Sequence, residues 1–188
     1  MKSNRIYLLL LWFAVVLLSA DCLWKCCVRE EDGEVRLLKQ QVTPFFSRLA
    51  EHTAYWAYNT AHLFKRQLRL ENNVKLTYPN GNSTWIGWSC TPVKQQFIFV
   101  CLLLLTPPIV KSRAWHKCWY IPVCLLLLYG VNILRIATIA VVIDTHPEWF
   151  DILHTYLLKY VFYGVVFALW MMWVKLSATE RNVKTHKN

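Results

Sequence analysis

Apolar residues in this chain gather into four long, nearly unbroken blocks, separated by stretches in which polar and charged residues dominate. The blocks run over residues 6–23, 95–110, 119–143 and 152–174. A bilayer core about 30 Å thick needs about 20 apolar residues in a helix, so each block reads as a membrane span. The first follows Lys2 and Arg5, and Asp21-Cys22 makes a poor cleavage site, so it reads as an uncleaved anchor in preference to a removable leader. The second, with its core FIFVCLLLL ending at Thr106-Pro107-Pro108, is short and is expected to begin a few residues earlier.

The polar region between the first two blocks is patterned differently. VREEDGEVR reads as a charged loop, and residues 37–70 read as helical. Within them, FFSRLAEHTAYWAYNTAHLF spreads aromatics over broad faces among Arg48, Glu51 and His52, as an interfacial or partly inserted helix does. A fifth full crossing is the alternative for this stretch. VKLTYPNGNSTWIGWSC alternates apolar and polar positions around Pro79-Asn80-Gly81-Asn82, which predicts a hairpin. The predicted fold is therefore all-α: a polytopic membrane protein with about four transmembrane helices plus an extracytoplasmic amphipathic helix and a short hairpin. Its parts are an anchor (1–24), the helix and hairpin (25–89), a three-span core (90–176) and a basic tail (177–188).

Composition changes this picture only through the charge. The 188 residues are 56% hydrophobic and 15% aromatic, with a formal net charge of +10, and the mean hydropathy is +0.28. So much apolar side chain excludes a disordered chain and strains a small soluble domain. With the N-terminus inside and four crossings, the inner pieces hold Lys2, Arg5, Lys111, Arg113, Lys117, Lys175, Arg181, Lys184 and Lys187 against Glu180 alone. Nine bases against one acid is +8, and the rest of the chain, twelve against ten, carries only +2. The basicity is thus a topology signal of the positive-inside kind. It puts both termini in the cytoplasm of a multi-pass cell membrane protein, and no nucleic-acid partner is needed to explain it. Cys22, Cys26 and Cys27 lack a matching second pair, so no metal or other cofactor is expected.

One charge has no topological reason. Arg135 lies inside the third block, 16 residues from Trp119 or about 24 Å up a helix, a few Å from the outer surface. An ionisable residue within a span is a functional candidate, although an arginine near a span end also snorkels to headgroups. Asn132, three residues earlier, shares its face and can hydrogen-bond whatever Arg135 holds. His154 falls about one turn into the last block, with Asp151 at i−3 to orient its ring. Cys90 lies five residues before the second block, after Trp85 and Trp88. Taken singly, the histidine reads as an interfacial residue and the cysteine as an inert thiol. Together they put a thiol, a guanidinium and an imidazole at one depth on one side of the membrane. Those are the groups thiol acyl transfer uses: a nucleophile, a proton carrier and a fixed charge for the oxyanion. A neighbouring guanidinium also favours the thiolate.

The order Cys90 in WSCTPVKQQ, Arg135 in NILRI and His154 at the start of the last span resembles the exosortase/archaeosortase family of integral membrane cysteine transpeptidases, over about residues 85–173. The resemblance implies a membrane-embedded cysteine protease/transpeptidase, with Cys90 as nucleophile, Arg135 for the oxyanion and substrate position, and His154 for proton transfer. It implies exported proteins with a C-terminal sorting signal, made of a short motif, a transmembrane helix and a basic cluster, as substrates, with membrane lipid around them. The sequence departs from the family's usual Cys-Ser-Gly type turn, since Thr91-Pro92 follows Cys90. Two other readings compete: a non-enzymatic membrane subunit for surface polysaccharide or protein export, with Arg135 on a lipid phosphate or a partner carboxylate, and a small transporter or channel, which wants ionisable groups near the bilayer midplane, where Lys159, two turns down the last span, is the only other candidate. The oligomeric state, the recognition motif and the acceptor are not legible.

Overall fold

The computed structural model describes residues 2–31, 34–38, 40–106 and 114–185. Three helices are long and apolar enough to cross a membrane, over Ile6–Cys27, Lys117–Thr145 and Pro147–Ser177. They belong to α1 (Lys2–Cys27), α4 (Ala114–Thr145) and α5 (Leu158–Thr185), the last entered through a π-helical turn at Ile152–Leu157. The remaining apolar block forms α3 (Val93–Leu104), a 12-residue helix about 18 Å long. It begins two residues ahead of the apolar block, as expected, and is shorter than a span, while residues 107–113 of the expected second span and inner loop lie outside the described residues.

These helices enclose one apolar core, built on Phe99, Leu103, Leu128, Phe162, Val166 and Trp170. Phe13 of α1 meets Phe167 and Trp170 of α5 edge-on or tilted, and Trp24 shares a cavity with Tyr163 at the other end. The two helices are therefore antiparallel, and the chain's first and last described residues lie at the same end of the bundle. Polar groups inside are used as ties. Tyr120 Oη donates to the Leu169 carbonyl at 2.8 Å and Lys117 Nζ to the Leu103 carbonyl at 3.1 Å, where an unpaired group would cost several kcal/mol in a dry interior.

A cap sits on the opposite end from the termini. Its helix α2 (Thr43–His62) starts where Pro44 supplies the fixed φ that a first helical turn accepts. The expectation of a helix over 37–70 is corrected at both ends: Gln40–Gln41 (β3) pairs with β2 (Glu34–Leu37), and Arg69–Glu71 (β4) begins a second sheet. VREEDGEVR, expected to be a loop, is the hairpin of β1 (Val28–Glu31) and β2, with Val28 at its open end and Val35 near its turn both buried. The hairpin expected around Pro79-Asn80-Gly81-Asn82 is present between β5 (Lys75–Thr77) and β6 (Ser83–Trp85), with β4 as a third strand. Gly81 takes φ +85° at the turn, a conformation that suits a residue without Cβ.

Cap and bundle share one rod. α4 is 32 residues long, about 48 Å, so its second half projects into the cap. Ala54, Ala57 and Ala61 of α2 are fully buried in a second core with Ile136, Ala140 and Ile143 of α4 and Leu76 of the sheet. The small side chains let the two helix backbones come close. Lys65 Nζ reaches Asp144 at 2.8 Å and fixes the far end of the pair. α2 is amphipathic and packed along α4, and it is not among the helices apolar enough to cross, so the fifth crossing is not found.

Candidate active site at the junction of the two cores

The site residues lie where the bundle core gives way to the cap core, and α4 is the element that joins them. Cys90 closes a short 3-10 turn, Trp88–Cys90, whose backbone bonds run from Cys90 N to Gly87 O and from Thr91 N to Trp88 O, both 3.0 Å. The turn is wedged from the side: Trp88 Nε1 donates to Glu30 of β1 at 2.8 Å and its ring packs edge-on against Phe46 of α2. Thr91 is extended, as the residue before a proline prefers; its hydroxyl returns to the Trp88 carbonyl at 2.7 Å, and Pro92 leads into α3. No residue from Trp88 to Val93 has a positive φ. Thr91-Pro92 therefore builds this turn without needing the glycine usual in the resembling family.

Asn132 and Arg135, one helical turn apart on α4, each hold one of the two remaining pieces. Asn132 is 1% exposed, and its Nδ2 donates to the Cys90 carbonyl at 2.8 Å. Beyond the expectation that it hydrogen-bonds whatever Arg135 holds, it has a structural role: it anchors the cysteine turn. Arg135 Nη2 donates to the His154 carbonyl at 3.3 Å. That carbonyl belongs to the π-helical turn Ile152–Leu157. A π turn shifts its backbone bonds out of the α-helical register, which suits a carbonyl that takes a side-chain donor. Arg135 Nε is buried and has no partner among the described residues. The guanidinium points at the protein, which is not the posture of an arginine snorkelling to headgroups.

His154 is oriented differently from the expectation. Its ring stacks on Phe150, centroids 5.2 Å apart and planes within 8°. Asp151 is exposed, and among the described residues no hydrogen bond joins it to His154. The aromatic partner was missed in the sequence because Phe150 at i−4 reads as one more apolar residue before a span.

Arg135 and His154 line a cavity of about 410 Å³, together with Ser89, Thr91, Lys94 and Lys159. Cys90 itself does not line it. Its half-buried side chain packs instead against the cap core, while both its chain neighbours face the cavity. The structure thus brings Asn132, Arg135, His154 and the Cys90 backbone together, and leaves Asp151 outside. Among the described residues no group of three metal-ligating side chains occurs. Cys22 and Cys26 are exposed on α1.

The anchoring role of Asn132 has a measurable consequence. Asn132→Leu keeps the branched shape and the number of side-chain heavy atoms but leaves the Cys90 carbonyl without its donor, which costs about 1–3 kcal/mol for a buried acceptor. The expected result is a lower thermal midpoint in detergent micelles; an unchanged midpoint means the bond does not hold the turn.

A family model described as transmembrane exosortase matches residues 35–176, roughly three quarters of the chain, a range that includes Cys90, Asn132, Arg135 and His154. No curated protein and no solved structure matches the chain.

Proposed function

Because the chain belongs to the transmembrane exosortase family, we propose that it is a membrane-embedded cysteine protease/transpeptidase that cleaves the C-terminal sorting signals of exported proteins. The observation that carries this reading is the clamp made by α4: Asn132 on the Cys90 turn and Arg135 on the His154 turn, three residues apart. One rigid helix thereby holds the two backbone turns that carry the proposed nucleophile and proton carrier and places the cation between them, which supports the reading because acyl transfer depends on such preorganisation.

In the proposed reaction His154 takes the Cys90 thiol proton as the sulfur adds to the scissile carbonyl carbon. The oxyanion that forms is held by the Arg135 guanidinium, which has donors beyond the one on the His154 carbonyl. The C–N bond then breaks, the proton passes from His154 to the leaving amine, and the upstream protein remains as a thioester on Cys90. An amine or water adds to that thioester, the C–S bond breaks, and the sulfur leaves as thiolate while His154 takes the incoming nucleophile's proton. Because Cys90 faces the cap core in the free protein, its side chain rotates towards the cavity when substrate enters.

The setting matches the substrate. A helix-anchored protein presents its scissile segment at the rim of the bilayer, and the site is at the end of the bundle away from the basic termini. By the charge balance this is the extracytoplasmic face of a cell membrane, with both termini cytoplasmic. The test is a reporter ending in a short motif, an apolar helix and a basic cluster, co-expressed with the intact or the Cys90→Ala chain. Cleavage by the first only supports the proposal; equal cleavage by both sinks it.

A further inference from the structure

The cavity carries more positive charge than the reaction uses. Four permanent cations line it: Lys25 of α1, Lys94 of α3, Arg135 of α4 and Lys159 of α5. The acids beside them are Asp21, which pairs with Lys25 at 2.8 Å and Lys94 at 2.6 Å, and the exposed Asp151, which acts on His154 through space without an ion pair to Arg135 or Lys159. Among the described residues, Arg135 and Lys159 have no ion pair at all, and His154 is the other titratable side chain between them, with the phenol of Tyr163 nearby. Uncompensated cations converging on one cavity from separate helices make an anion site.

Depth identifies the anion. Lys159 follows His154 by five residues, about 7 Å further along the helix away from the cap, with an exposed side chain on a helix long and apolar enough to cross a membrane. Trp24, Trp88 and Tyr163 line the same cavity, and amphipathic aromatics of this kind mark the headgroup level. An anion that lives in water, such as a peptide carboxylate, has to descend to meet Lys159. A lipid phosphate already rests at the rim of this cavity, within reach of a lysine whose long stem snorkels upward from that depth.

We infer that this cavity binds a phosphate group, with Lys159 as its principal counter-ion and Arg135 above it, and that the phosphate is that of a membrane lipid headgroup. The site places such a lipid beside the Cys90 turn, within the space where a thioester would await its acceptor. Only that placement rests on the proposed activity, because binding can be measured without chemistry.

The experiment uses the full chain carrying Cys90→Ala, in phosphate-free maltoside micelles, titrated with dihexanoyl phosphatidylglycerol and followed by phosphorus NMR. Saturable binding is expected, weakened about tenfold by Lys159→Gln, the usual scale for losing one charge-assisted contact, and kept by Lys159→Arg. Retention in the arginine variant distinguishes a lost charge from a lost fold. Glycerol 3-phosphate is the competitor for the source: failure to displace the lipid upholds the headgroup, whereas displacement at equal concentration keeps the phosphate site and overturns its lipid assignment. Equal binding by Lys159→Gln, or displacement by an acetylated glutamate peptide alone, overturns the inference. Because the nucleophile is absent throughout, these results stand whether or not Cys90 proves catalytic.

Discussion

A Cys90→Ala chain is expected to leave the sorting-signal reporter full length, with turnover lower by about ten-thousandfold or more, the scale on which removing a covalent nucleophile acts. The size follows from the role: without sulfur no thioester forms, and the other groups have nothing to activate. Misfolding is a poor rival explanation of such a loss. The Trp88–Cys90 turn is held by backbone bonds, by Trp88 on Glu30 and by Asn132 on a carbonyl that alanine retains. Cys124→Ala supplies the control. That thiol is buried in the bundle core, so its removal lowers stability while leaving the chemistry in place. Processing that survives Cys90→Ala and fails in Cys124→Ala reverses the assignment.

Arg135 carries the next largest effect. Removing one preorganised oxyanion donor typically lowers kcat by about 100- to 1,000-fold, and Arg135→Ala is expected to fall in that range. Arg135→Lys is the more informative variant. It keeps the charge, but an ammonium is a point charge without the guanidinium's fork, so it cannot hold the His154 carbonyl and an oxyanion in the present geometry. Partial recovery in kcat, well short of the intact chain, is expected. Full recovery by lysine means that only a positive charge is needed, as in an arginine that merely attracts lipid, and the oxyanion role is then wrong.

The sequence was informative where physics leaves few solutions. A run of 18 or more apolar residues has little choice but to span, and α1, α4 and α5 lie where the blocks put them. Arg135 stood out because a charge inside such a run demands a reason, and the structure gives one in His154. The failures are equally physical. FIFVCLLLL has a span's composition, but its helix is only 12 residues long, since composition does not reveal where a helix stops. VREEDGEVR reads as a loop because seven polar or glycine residues hide Val28 and Val35, the two that fasten the hairpin. Residues 37–42 carry apolar positions at helical spacing and were absorbed into α2, although Pro44 marked its start.

Two features of the site lay beyond any single-sequence reading. The π turn at Ile152–Leu157 shifts the backbone bonds of the last helix without disturbing its hydrophobic pattern. Asn132 finds its acceptor 42 positions away in the chain, so its helical neighbour Arg135 drew the assignment instead. Both depend on contacts distant in sequence, because α4 acts as a rod that grips two separate turns at the boundary between two cores.

That grip is the claim on which the proposed mechanism rests, and cross-linking across it is the direct measurement. In a chain whose other six cysteines are replaced by serine, His154→Cys is paired with Cys90 and treated with a short bis-maleimide, and the joined peptides are counted by mass spectrometry. High-yield intramolecular linkage of residues 90 and 154, sharply reduced by Asn132→Leu, is the predicted result. Linkage no greater than that of Cys90 with a thiol introduced by Ser177→Cys, far down α5, contradicts the site.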